Sequence, residues 1–109
     1  MQEDVIALLR TDPAIEKVID FKSTTLGWGV YRIKFEVEFN GASLLREAYR
    51  GRKMRDEYLE IQDDFDAFKR FSGAYANRIP RIMGRKIDHI EENVKKKFPS
   101  IKHIDIEIN

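Results

Sequence analysis

The sequence predicts an α+β domain, a small mixed sheet with helices on one face, in the order helix, strand, strand, helices, strand. Three observations carry the prediction. In Val30–Phe39, VYRIKFEVEF, the odd positions Tyr31, Ile33, Phe35, Val37 and Phe39 are apolar, and the even positions Arg32, Lys34, Glu36 and Glu38 are charged. That is the period of a strand with one buried and one wet face; a helix would scatter the same apolar residues around its circumference. Ile101–Ile108 alternates likewise, with Ile104, Ile106 and Ile108 on one side and His103, Asp105 and Glu107 on the other. Between the two strands run apolar stripes at helical spacing.

Taken in order, the chain begins with a short helix. Val5, Ile6, Leu8 and Leu9 recur among polar residues, and Glu3 and Asp4 suit the positive end of a helix dipole. Thr11-Asp12-Pro13 ends it, because a residue before proline resists the α region. Ile15 to Thr25 reads as a strand, rich in β-branched side chains. Gly27-Trp28-Gly29 joins it to Val30–Phe39 as a hairpin, with Trp28 at the tip. Asn40-Gly41 is a turn signal. Ser43 to Arg55 is open to either a strand or a helix, with Leu44, Leu45, Ala48 and Tyr49 as its apolar side. Met54, Tyr58, Ile61, Phe65 and Phe68 then form one helical stripe, which Ser72-Gly73 is expected to break. A second long helix is expected from Ile79 to Lys97, striped by Ile79, Met83, Ile87, Ile90 and Val94, with Pro80 in its first turn and three lysines at its end.

The short tip makes the hairpin antiparallel, and the long helical crossover lets the last strand run parallel to a hairpin strand. The expected inner layer is Ile33, Phe35, Val37, Ile104, Ile106 and Ile108 against Val5, Leu9, Ile87, Ile90 and Val94. Parity sends Arg32, Lys34, Glu36, Glu38, His103, Asp105 and Glu107 to the other face.

Composition bounds the rest. A chain of 109 residues is enough for one domain, 1–109. A net charge of +1 does not mark a nucleic-acid binder, and the absence of cysteine excludes disulfides and thiolate metal sites. No apolar run approaches the ~20 residues of a membrane span, and MQEDVIALL is neither a signal peptide nor an arginine-rich transit peptide. There is no Gly-rich phosphate loop, nucleophile elbow or HExxH, so an enzyme is not expected.

Four features could carry chemistry or binding. His103, Asp105 and Glu107 share a strand face and are donor types for a divalent cation such as zinc. Steps of two residues put neighbours about 6.6 Å apart, so chelation needs a partner strand or protomer; the plain alternative is a solvated polar face. His89, with Asp88, Glu92 and Asn93, is either a weak ligand group or an ordinary helix-surface histidine. The basic run Arg46 to Arg55 could meet phosphates or be satisfied by the acidic run after it. The Met54–Phe68 stripe is either core or a partner-binding face.

The ordered elements have a family likeness. The close, FPSIKHIDIEIN, resembles the last strand of the cytosolic C-terminal domain of cation diffusion facilitator transporters, and DPAIEKVIDFKSTTLGWGVYRIKFEVEF resembles that domain's first hairpin. The likeness extends to the zinc transporter nine branch, with its T-x-LG-x-G hairpin at Thr24–Gly29, a charged helical insertion at Met54–Phe71, and Gly84, Asp88 and Glu92 in the last helix. The resemblance implies a ferredoxin-like or metallochaperone-like αββ(α)αβ domain with a helical insertion. It implies a homodimer following membrane helices of the same parent chain, facing the cytosol or an organelle matrix, and regulating divalent-cation efflux. The family's metal histidines do not carry over: their slots hold Ile19, before Asp20, and Glu107. Zinc is the candidate ion, Arg32, Lys34, Glu36 and Glu38 are the candidate interface, and no nucleic acid is expected. The alternative reading is a nucleic-acid- or protein-binding module of ferredoxin-like type.

Overall fold

A computed structural model describes residues Met1–Asn109. The elements are α1 (Gln2–Leu9), β1 (Ile15–Gly27), β2 (Val30–Phe39), α2 (Gly41–Ala48), α3 (Met54–Ile61), α4 (Phe65–Lys97) and β3 (Ile101–Ile108). The alternating strand β2 is the centre of a three-stranded sheet of order β1-β2-β3, antiparallel to β1 and parallel to β3. The predicted α+β class and mixed sheet are therefore observed, in a small ferredoxin-like arrangement.

The odd face of β2 is the core. Ile33, Phe35 and Val37 are fully buried, and they cluster with Val5 and Leu9 of α1, Ile90 and Val94 of α4, and Ile15 and Ile101. β1 joins this face by an irregular route. Its register shifts between Ile15 and Lys17 and again between Ile19 and Lys22, where Asp20 takes a positive φ. Each bulge re-phases the pleat. Ile15, Val18 and Phe21, spaced by threes, thereby all reach the core, and Phe21 stacks on Phe35 with ring centroids 5.6 Å apart.

The inner layer is narrower than expected toward the end of β3. Ile104 and Ile106 are half-buried against the core, and Ile108 is half exposed and outside it. Ile87 is likewise only half-buried.

The helical half differs most from expectation. Asn40-Gly41 is a helix start instead of a turn: Asn40 holds extended backbone and its side chain accepts from the Ser43 N–H at 2.9 Å, capping α2. The Met54–Phe68 stripe is split between two helices, because Asp64 caps the start of α4 by accepting from the Ala67 N–H at 3.0 Å. Ser72-Gly73 does not break the helix, and Pro80 lies deep inside α4 instead of in a first turn. Both are tolerated for local reasons. Ala76 and Pro80 are exposed, so water can take the carbonyl that Pro80 leaves unpaired. Gly73 costs about 1 kcal/mol against alanine, and the burial of Tyr75 two residues on offsets it. Gly73→Ala has open space for the added methyl and is expected to raise stability by about 0.5–1 kcal/mol. An unchanged or lower urea midpoint would contradict a continuous α4.

A second cluster forms where α2 meets the middle of α4: Ala14, Leu44, Ala48, Tyr49, Tyr75 and Ile82. Tyr49 and Tyr75 stack at 4.9 Å. Because α4 is 33 residues long, it carries the chain well beyond the sheet. The molecule measures 63 × 20 × 18 Å with a radius of gyration of 17.9 Å, against about 13 Å for a compact chain of this length.

Candidate functional site

The sheet's outer face is where parity placed the charges, and the register shows how they meet. Across the strands Lys22, Lys34 and Asp105 stand in one row, Ile19, Glu36 and Glu107 in the next, and Thr24, Arg32 and His103 in a third. No helix covers this face. One ion pair crosses it, Lys34 Nζ to Glu107 Oε1 at 3.3 Å, with both side chains more than half exposed. At such exposure the pair contributes little. Like charges also stand opposite each other, Lys22 by Lys34 and Glu36 by Glu107, which is unfavourable in a lone sheet.

His103, Asp105 and Glu107 do share this face and are exposed. They do not converge: no group of three or more histidine or carboxylate side chains in the protomer is close enough to hold a metal ion. His89, Asp88 and Glu92 line a polar recess of about 450 Å³ against α2, together with Arg50, Arg85 and Lys86. The basic run is partly consumed locally. Arg46 donates to Ser43 Oγ at 2.9 Å, Arg50 lies 3.9 Å from Glu47, and Arg52 lies 3.8 Å from Glu57.

Two features escaped sequence reasoning because each needs partners distant in the chain. Lys86 is pulled in between Asp12 Oδ2 at 2.7 Å and Glu47 Oε2 at 2.9 Å. Burial works to lower its pKa, but the two carboxylates outweigh burial and the value is raised. The Tyr49 hydroxyl is buried with no hydrogen-bond partner. Burial first, then the nearby Tyr75 and Glu57, push its pKa well above the ordinary value. Tyr75 itself donates to Glu57 Oε2 at 3.2 Å.

The Met54–Phe68 stripe is not a closed core. Met54, Tyr58, Phe65 and Phe68 are substantially exposed and, with Ile61 and Phe71, line an open apolar groove of about 610 Å³ between α3 and α4. No helix of the protein is long and apolar enough to cross a membrane.

Comparison with known proteins finds relatives over nearly the whole chain. The chain is 34% identical over 104 residues to the human mitochondrial proton-coupled zinc antiporter SLC30A9, and 31% identical over 103 residues to its mouse counterpart. It is 28% identical over 109 residues to metal tolerance protein C4 of Arabidopsis thaliana. The chain is a homologue of the cation diffusion facilitators. The matches cover 93–94% of this chain but only 18–24% of the relatives' own lengths. No family profile and no solved structure matches it. The αββ arrangement, the bulged hairpin and the long crossover helix thus belong to a segment shared with zinc transporters of the zinc transporter nine type.

Proposed function

We propose that this chain is the dimerising, regulatory domain of a divalent-cation efflux transporter, with zinc as the transported ion. The observation that carries the reading is the match of nearly the whole chain to a proton-coupled zinc antiporter. In this reading the chain catalyses nothing and transports nothing by itself. It is joined to a membrane-spanning part of the same parent chain, in an organelle or cell membrane, and faces the cytosol or matrix.

The mechanism is interface energy. Two protomers in contact favour whichever arrangement of the attached membrane helices lets the contact form, and anything that binds one arrangement better shifts the balance. The proposal puts Arg32, Lys34, Glu36 and Glu38 in the contact. Like charges stand opposite one another on this face within a protomer, and a second protomer can supply the missing counter-charges. Zinc on this face takes His103, Asp105 and Glu107 from both protomers, because one row alone spaces its donors too widely.

Sedimentation equilibrium over a wide concentration range, with and without zinc, tests the reading. A dimer is expected that weakens about tenfold or more on Lys34→Glu, since a like charge placed in an interface is costly. A strict monomer at high concentration sinks the dimer. A zinc response that survives His103→Ala removes that row from the metal site. The alternative of a protein-binding module draws on the apolar groove between α3 and α4. A nucleic-acid-binding module lacks its stacking platform, because Phe35 is fully buried and Tyr31 and Phe39 pack on the core.

A further inference from the structure

The β1–β2 hairpin ends in a side chain with no structural use. Trp28 is the chain's single tryptophan and is fully exposed. It packs on nothing, and its backbone is left-handed at φ 55°, between Gly27 at 92° and Gly29 at 70°. A bulky residue in that region is an outlier, costing about 1–2 kcal/mol against an ordinary backbone. A glycine there would be cheaper for the fold. Leu26 beside it is 43% exposed. The tip therefore presents an indole and an isobutyl group to the solvent at the narrow end of a hairpin.

What surrounds the tip is cationic. β3 starts level with Tyr31, whose N–H donates to Ser100 O at 2.9 Å. The end of α4 and its Phe98-Pro99-Ser100 turn thus sit only three residues, or about 10 Å of strand, behind Trp28. Lys95, Lys96, Lys97, Lys102 and Arg32 collect at this end, and all five are exposed. None is in an ion pair. The stretches that build this end, residues 21–35 and 93–104, contain none of the chain's 19 carboxylates. A chain of net charge +1 is therefore polarised, with seven of its 20 lysines and arginines and none of its carboxylates in these two stretches.

We propose that the hairpin tip, Trp28 and Leu26 in front of a collar of five cations, docks on an anionic phospholipid surface. Tryptophan favours the boundary between headgroups and acyl chains, where its ring is buried and its N–H stays wet. Lysines behind it meet the negative surface potential. A single apolar insertion holds a protein only weakly, and the combination of an insertion with a basic patch is what makes such binding stable. A single-stranded nucleic acid is the poorer fit, since its platforms offer successive aromatics along a groove, and here one ring stands beside a leucine. The proposal rests on this surface alone and needs neither the dimer nor zinc.

Because Trp28 is the single indole, its fluorescence reads the contact directly. Phosphatidylcholine vesicles containing phosphatidylserine are expected to shift its emission to the blue and to carry the protein into the vesicle pellet. Pure phosphatidylcholine vesicles, inorganic phosphate and a single-stranded oligonucleotide are expected to leave the emission unchanged. Raising the salt releases the protein. Replacing Lys95, Lys96 and Lys97 by glutamine is expected to weaken binding on the order of 100-fold, from the contribution of each lysine near an anionic surface. Trp28→Asn suits the left-handed backbone; it is expected to lose pelleting while melting no lower than the wild type. The proposal is overturned if the emission stays fixed with phosphatidylserine vesicles, if pure phosphatidylcholine binds equally well, or if the oligonucleotide gives the shift instead. It is also overturned if Trp28→Asn pellets as the wild type does. The vesicle assay can succeed while the sedimentation experiment shows a monomer, and can fail while it shows a dimer, so the two readings fall separately.

Discussion

Phe35→Ala is expected to destabilise the protein by about 3–5 kcal/mol, the range for truncating a buried phenylalanine. Phe35 is at 0% exposure on the central strand, and its ring stacks on Phe21 at 5.6 Å. β1 lies on one side of its strand and β3 on the other, with α1 and the end of α4 above. A cavity there cannot be closed by moving one neighbour, because four elements would have to shift together. For a chain near 100 residues each kcal/mol moves the melting temperature by roughly 4–8 °C, so a loss of well over 10 °C is expected by circular dichroism. The comparison that makes this informative is Phe65→Ala. Phe65 is 74% exposed at the start of α4, and its truncation is expected to change stability by no more than about 0.5 kcal/mol. Equal losses for the two variants would mean that the apolar groove is closed in solution and that the sheet face is not the main core.

The contrast between those two phenylalanines also marks where the sequence is readable. Phe35 sits in a strict two-residue alternation, and that period admits one structure. β3 is legible for the same reason, and so is the placement of Arg32, Lys34, Glu36, Glu38, His103, Asp105 and Glu107 on one face. β1 is harder: Ile15, Val18 and Phe21 recur by threes, a spacing that only its bulges reconcile with a strand. Phe65 and Phe68 share a helical stripe with Ile61, but a stripe does not say whether anything covers it. The break between α3 and α4 turns on Asp64, one of many carboxylates there, used as a cap. The loss of the expected break at Ser72-Gly73 has the opposite cause. Helix-favouring residues on both sides, with Phe71 and Tyr75 packed on the second cluster, outweigh one glycine. α2 is short and amphipathic, and eight residues fit a strand as well as a helix until Leu44 and Ala48 find Tyr75 and Ile82. The family likeness was legible because it resides in ordered short motifs, while the contact face it implies depends on a second protomer.

Lys86→Gln is expected to be the most damaging substitution of a charged residue. Lys86 of α4 is 13% exposed and bridges Asp12, in the turn after α1, to Glu47 of α2. Asp12 is also engaged through its other oxygen, which accepts from the Ala14 N–H at 2.9 Å and shapes the entry to β1. One ammonium thus ties α1, α2 and α4 together where the two apolar clusters adjoin. Removing it leaves two partly buried carboxylates facing each other. Breaking a fully buried pair in this way costs about 3–5 kcal/mol. Both carboxylates are about a third exposed, and solvent screening reduces the expected loss to about 2 kcal/mol, or roughly 8–16 °C in melting temperature. The pH dependence has a definite sign. The Lys86 pKa is raised in the folded protein above its ordinary 10.5 by Asp12 and Glu47, which overcome the opposing effect of burial. The folded state therefore holds this proton more tightly than the unfolded state does. The stabilisation is fully present below about pH 10.5 and is lost as pH rises through the folded-state value. Urea midpoints measured from neutral to strongly alkaline pH should show wild type and Lys86→Gln far apart at neutral pH and converging at the alkaline end. A gap that stays constant with pH would mean that Lys86 contributes through its packed stem, with its charge playing no part.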